Sequence, residues 1–268
     1  MSRQAAYEAV YNQIIAEMEK GNIPWKKGWV GATPKNGSSG HKYAGINFFL
    51  LATSGFADPR WYTFNQAKTL GGQIKPGSKG RQIVFWKMFE TEDKAGKKQN
   101  IPLLRYSTVF NFEQCEGLKA KELEEIVLVD AESIIKNFIG CPKITYGHDK
   151  ACYIPSLDEV RMPSKHQYAK IENYYSNIYH EIAHSCLHEK RLNRPLCTDF
   201  GSNIYSENEL EAELVSAFLC NAAGIDNTVE NSAAYIKGWM KAFKDNPAMI
   251  TTAASKAQKV ANYILGIE

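Results

Sequence analysis

The sequence lacks several features, and each absence removes a class of protein. No run of about 18 or more apolar residues occurs in its 268 residues, so no transmembrane helix is expected. The N-terminal stretch MSRQAAYEAVYNQIIAEMEK interleaves charges with apolar residues. It has neither the unbroken apolar core nor the small-residue cleavage site of a signal peptide, so a cytoplasmic location away from membranes is expected. The six cysteines (Cys115, Cys141, Cys152, Cys186, Cys197 and Cys220) form no CxxC pair and no repeating spacing. They read as free thiols in a reducing compartment. No internal repeat and no heptad pattern occurs, and no zinc finger or basic zipper for reading duplex DNA. Histidine is scarce, yet three of the six fall within residues 180–188.

What is present is ordinary in bulk: 44% hydrophobic and 23% charged residues, as in a globular protein. The charge is unevenly placed. Residues 1–125 carry 18 Lys and Arg against 12 Asp and Glu, whereas residues 126–268 carry 14 against 17. A basic front half beside a mildly acidic back half indicates two modules with different partners.

Periodicity predicts a first helix from Arg3 to Lys20 with Ala6, Val10, Ile14 and Met18 on one face, stopped by Gly21. Short helices are expected over Asn47–Ser54 and Thr63–Leu70. Arg81–Lys87 and Leu103–Phe112 read as a hairpin with a long polar tip at Thr91–Asn100. A helix over Ala131–Ile139 precedes short strands at Ile144–Tyr146, Ala151–Pro155 and Val160–Pro163. Helices follow over about 170–189, 207–223, 229–244 and 247–266. The expected fold class is α+β in two domains. Residues 1–125 form a helix and antiparallel-sheet domain, and residues 126–268 a mostly helical one.

The strongest motif is His180-Glu181-Ile182-Ala183-His184. Histidines at i and i+4 lie one helical turn apart on one face, so both imidazoles can reach one metal. Glu181 is placed to accept a proton from a water at that metal, the general-base role of a zinc metallopeptidase. A second element, Glu209-Leu210-Glu211-Ala212-Glu213, sets carboxylates at i and i+4 on another predicted helix. Glu209 is the expected third ligand, with Glu213 as the partner that steadies a ligating histidine or as the alternative ligand. Glu211 should point to the opposite side of that helix, into solvent. His188 lies about 12 Å along a straight helix from His180, too far to share its metal, and the third histidine of a metzincin is absent, because Lys190 stands there. Zn²⁺ suits two histidines and one carboxylate best, with Mn²⁺ the alternative.

The front half holds four of the five tryptophans, Trp25, Trp29, Trp61 and Trp86, interleaved with cations. Aromatic faces that stack on bases, beside cations that follow phosphates, are how single strands are commonly held. The candidate contacts are Trp25, Lys26, Lys27, Trp29, Lys42, Tyr43, Asn47, Gln66, Lys75, Lys79 and Arg81. The competing reading makes the aromatics core residues of a small sheet.

The order of short segments resembles the ArdC-type antirestriction proteins of conjugative plasmids and related mobile elements. In the front half these are Gly21–Trp25 through Trp29, Tyr43–Asn47, Trp61–Ala67, Lys75–Gly80, Val84–Trp86 and Val109–Leu118. In the back half they are Tyr153–Pro155, Arg161–Pro163, His180–His184, Arg191–Arg194 and Glu209–Leu219. The resemblance implies a single-stranded-DNA-binding domain, a metallopeptidase-type metal site, and shielding of incoming DNA from host restriction. DNA-bound host proteins such as restriction enzymes are then the expected protein partners. Two alternatives stay open: a DNA-binding shield whose metal is structural or whose protease is dormant, and a DNA-dependent protease acting on DNA-bound proteins.

Overall fold

The structure is a computed structural model that describes residues 3–26, 33–92, 98–119, 128–196, 203–226 and 233–267. In chain order the first half holds α1 (Arg3–Met18), β1 (Lys35–Asn36), α2 (Ile46–Ala52), β2 (Arg60–Thr63), α3 (Phe64–Thr69), β3 (Gln73–Ile74), β4 (Arg81–Glu92), β5 (Lys98–Asn111) and β6 (Cys115–Glu116). The second half holds α4 (Ala131–Asn137), β7 (Lys143–Tyr146), β8 (Cys152–Ile154), β9 (Glu159–Met162), α5 (Ile171–Ser185), α6 (Asn203–Ala223), α7 (Ala233–Asp245) and α8 (Ala248–Leu265). The fold is α+β, an N-terminal sheet domain followed by a helical region.

The N-terminal sheet runs β1-β2-β5-β4, parallel between β1 and β2 and antiparallel elsewhere. The β4–β5 hairpin keeps register from Arg81↔Val109 to Glu92↔Lys98. Much of the stretch expected as a polar tip is therefore strand, with Thr91 opposite Gln99; residues 93–97 lie outside the described ones. The ladder is made by backbone groups, so polar side chains do not end it. The first stretch of β4's outer edge is covered by two side-chain amides. Gln13 on α1 donates to the Gln82 carbonyl at 3.3 Å and accepts from its N–H at 3.2 Å. Asn47 on α2 does the same to Val84, at 2.7 and 2.8 Å. Each amide imitates a neighbouring strand and occupies groups that could otherwise template a second chain.

Ala6, Val10, Ile14 and Met18 are all buried on one face of α1, as four-residue spacing requires. They do not build a separate front-half core. With Trp25, Phe48 and Phe49 they join the same hydrophobic core as Leu210, Phe218, Trp239 and Ile250. Trp25 meets Trp239 edge-on at 5.7 Å, and Phe49 meets Phe218 at 4.8 Å. A smaller cluster of Tyr43, Leu51, Trp61, Ile83 and Val109 lies in the sheet domain alone. The boundary expected near residue 125 falls outside the described residues.

In the second half β7, β9 and β8 form a sheet in that order, with β7 parallel and β8 antiparallel to β9. The α5 helix packs on β8 and β9 and against α6. Tyr174, Ile178, Tyr179 and Ile182 are buried along α5 at the spacing of a helical face. Ser216 on α6 donates to the Ser176 carbonyl on α5 at 2.9 Å, inside that interface. These two helices position the site.

Candidate metal centre

His180 and His184 stand one turn apart on α5, and their Nε2 atoms face each other at 3.0 Å. Glu209 reaches in from α6, with Oε2 3.5 Å from Nε2 of His180 and Oε1 3.4 Å from Nε2 of His184. Donor atoms held about 2 Å from a tetrahedral ion lie roughly 3.3 Å apart. One atom from each of the three residues lies within 4.8 Å of the others, the sole such group among the described residues.

Electrostatics point the same way. Burial alone would depress the His180 imidazolium, but the carboxylates of Glu209, Glu213 and Glu181 outweigh it and push the group up to about 9. Burial would raise the Glu209 carboxyl, yet the two imidazoles hold it far below the usual carboxylate range. A buried set of nitrogens and carboxylates that favours positive charge so strongly fits a cation. The second imidazole nitrogen of His180, Nδ1, is buried and makes no hydrogen bond; Glu213 Oε1 stands 3.7 Å away, in place to orient that ring.

Glu181 is half-buried on the same helix and is not a member of the donor group. Burial first, and then the Glu181 carboxylate, raises the Cys152 thiol on β8, so Glu181 acts on the space between α5 and that strand. β8 is the edge of its sheet and pairs with β9 alone among the described residues. His188 lies beyond the end of α5, where its Nδ1 accepts from the Lys190 N–H at 3.2 Å. Its place is in the turn after the helix. Glu211 corrects an expectation: it is buried, not solvated, because Arg194 donates to both its oxygens at 2.6 Å. Helical phase correctly turns Glu211 away from the donor group, but phase alone says nothing of the loop that covers the far side.

A family model described as the N-terminal domain of anti-restriction factor ArdC matches residues 4–110, and one described as a zincin-like metallopeptidase matches residues 130–256. Crystal structures of the antirestriction ArdC protein from plasmid R388 superpose over almost the whole chain. The metal-free form has a TM-score of 0.81, with 32% identity over 98% of both chains. The Mn(II)-bound form has a TM-score of 0.80, with 33% identity over 97% of both. The chain belongs to the ArdC antirestriction family. Among curated relatives, the Sinorhizobium fredii protein y4eC, described as uncharacterized, is 34% identical over 96% of this chain and 91% of its own. An Escherichia coli DNA primase TraC is 34% identical over 98% of this chain, which spans only 27% of that primase.

In this ArdC-family chain five of the eleven DNA contacts expected from sequence make other contacts within the fold. Trp25 is wholly buried against Trp239 and offers no face to a base. Tyr43 is likewise buried, its hydroxyl accepting from Asn36 at 3.3 Å. Asn47 covers the edge of β4. Gln66 closes the capping box of α3, accepting from the Thr63 N–H at 2.9 Å. Lys75 donates to the Glu113 carbonyl at 2.9 Å. Lys42 and Lys79 are exposed, and Lys26 and Arg81 are half-buried. Lys27 and Trp29 lie outside the described residues. A Trp, Tyr, Asn or Gln serves a core or a backbone as readily as a base.

Proposed function

We propose that this ArdC-family chain shields incoming DNA from restriction. In this reading its N-terminal domain holds single-stranded DNA, and His180, His184 and Glu209 hold a divalent cation, Zn²⁺ or Mn²⁺. The carrying observation is the convergence of two imidazoles and one carboxylate at separations that suit such an ion, beside Glu181 and an open strand edge. The R388 ArdC protein has a Mn(II)-bound form, which supports the alternative ion. A cation there would supply Lewis acidity, polarising a carbonyl and lowering the pKa of water. Glu181 is the group placed to take a proton, and Glu213 orients the His180 ring. The edge of β8 can accept an extended peptide by strand addition, which fits a DNA-bound host protein such as a restriction enzyme as the polypeptide partner. The net positive front half and the exposed Lys42 and Lys79 support the DNA reading. The five described cysteines are free, in keeping with a reducing cytoplasm.

The deciding experiment compares wild type with Glu181→Gln for survival of unmodified DNA transferred into a restricting host. Metal content and single-strand affinity are measured on the same two proteins. Glu181→Gln is expected to keep both and to lose protection. Full protection by that variant would leave the shield reading, in which DNA binding alone suffices. An absence of metal in the wild type would remove the site itself from the account.

A further inference from the structure

We propose that the phosphate backbone of the bound single strand runs along α7, although α7 belongs to the half of the chain that is net negative. This rests on the reading that the protein binds single-stranded DNA, and it adds where part of the strand lies. Lys237, Lys241 and Lys244 are exposed on α7. Their spacing of four and then three residues puts them on one face of the helix. None of the three forms a hydrogen bond, ion pair or ring contact among the described residues. The helix holds one carboxylate, Asp245, at its last residue. Residues 126–268 as a whole carry 14 Lys and Arg against 17 Asp and Glu, so a lysine face without ion pairs runs against the trend there. Lys244 suits the negative end of the helix dipole, which acts only over the last turn. Lys237 and Lys241 lie before that turn and do not owe their place to it.

The opposite face of α7 is taken up by the core. Trp239 and Phe243 are buried, with Ile236 and Met240 packed against the same cluster. The helix therefore has no apolar side to lay into a bilayer, and its lysines face a partner held by charge alone. Trp25 joins the front half of the chain to this helix. Its ring meets Trp239 edge-on at 5.7 Å, which fixes the turn carrying Lys26 against α7. The Lys26 N–H closes that turn on the Ile23 carbonyl at 3.0 Å. Lys26 is half-buried, and its ammonium has no carboxylate partner among the described residues. Trp25 is then the anchor of a cation, not a platform for a base. From Lys237 to Lys244 the helix rises about 10 Å. At ~3.4 Å of axis per strand charge, that length meets two or three phosphates. Lysine is a point charge on a flexible stem, suited to following phosphates and not to reading bases, so the contact should be sequence-neutral.

Lysine footprinting of the wild-type chain tests the path directly. Acetylation by an N-hydroxysuccinimide ester is read by mass spectrometry with and without oligothymidylate. Lys237, Lys241 and Lys244 should be protected, and Lys26 with them. Lys136, Lys150 and Lys170, exposed elsewhere in the second half, should not be. In parallel, anisotropy titrations compare Lys237→Glu/Lys241→Glu/Lys244→Glu with Lys136→Glu/Lys150→Glu/Lys170→Glu, a control of equal charge change. The α7 variant should lose at least about tenfold in affinity, and its log Kd should depend less steeply on log salt by about 2, at ~0.7 for each of three lost phosphate contacts. The control should do neither. Should the α7 variant fail to fold, the wild-type footprint decides alone. Unprotected α7 lysines in the wild-type complex, or equal losses in both variants, overturn the path while leaving single-strand binding standing. Protection by polyglutamate but not by oligothymidylate assigns the face to an acidic protein and overturns the path as well. No binding of oligothymidylate by wild type overturns both readings.

Discussion

Replacing Glu209 and Glu213 one at a time separates two carboxylates that sit a single helical turn apart on α6. Glu209 lies 3.5 and 3.4 Å from the two Nε2 atoms that face each other, whereas Glu213 lies 3.7 Å from the far nitrogen of His180. On the proposed reading Glu209→Ala deletes a donor, and Glu213→Ala deletes only the group that orients one. Loss of an orienting partner typically weakens metal binding 10–100-fold, which is about 1.4–2.7 kcal/mol. Loss of one of three protein donors should exceed the ~100-fold upper end of that range. The assay is competition of metal-stripped protein against a chromogenic chelator for Zn²⁺ and Mn²⁺, with metal per chain measured after dialysis. A linked readout is thermal melting: an ion at 100 times its Kd stabilises the native chain by about 2.7 kcal/mol, and a chelator should reverse this. Glu213→Ala should keep a smaller metal-dependent shift and Glu209→Ala none. If Glu209→Ala binds within tenfold of wild type while Glu213→Ala loses the ion, the two roles are reversed and the geometric reasoning fails.

Three further outcomes test the framework around the site. Phe218→Ala removes the ring that packs against both Phe48 and Phe49 and should cost about 3–5 kcal/mol; a denaturant melt should still show one transition, and two separate transitions would contradict a shared core. Arg194→Met strands the buried Glu211 carboxylate, and because Arg194 is partly exposed the cost should be roughly 2–3 kcal/mol, below the usual 3–5; Arg194→Met/Glu211→Leu should recover most of it, and a double variant no better than the single would refute the pairing. Asp158 is held down to about 2 from 3.8, its burial outweighed by hydrogen bonds from Arg191, Tyr153 and Lys190. Its folded value lies below its unfolded one, so its contribution is present above pH 4 and is lost as pH falls toward 2. With solvent screening this is about 1–2 kcal/mol. Asp158→Asn suits the left-handed backbone there (φ 48) and should flatten the acid limb of the stability curve between pH 4 and 2; an unchanged limb would assign it to other carboxylates.

The candidate metal helix was legible because helical spacing is local. His180 and His184 need only helical spacing to converge, and Glu209 and Glu213 carry the same signature on their own helix. What spacing cannot convey is which side chains the rest of the fold consumes. Glu211 looks solvated from its helical phase until the loop carrying Arg194 closes over it. Asn47 looks available for a base until β4 is seen to need a partner at its edge. Trp25 looks like a stacking platform because its burial partner, Trp239, lies more than 200 residues away in sequence.

The seam between the two matched families does not coincide with a seam in the core. The seven-residue helix α2 shows why. Its Asn47 amide completes the backbone pairing of β4 in the sheet domain, while Phe48 and Phe49, the next two residues, pack on Phe218. Phe218 belongs to α6, the helix that presents Glu209 and Glu213. A cut between the domains would therefore expose Trp25, Phe48 and Phe49 on one piece and Phe218 and Trp239 on the other. Each such aromatic buries on the order of 150–250 Å², so at ~25 cal/mol per Å² each is a loss of several kcal/mol. That is a large share of the 5–15 kcal/mol that holds a native protein together. The sheet that would carry DNA and the helix that would carry metal thus stand or fall as one unit. A structural defect introduced in either half should be read out in both before it is assigned to one activity.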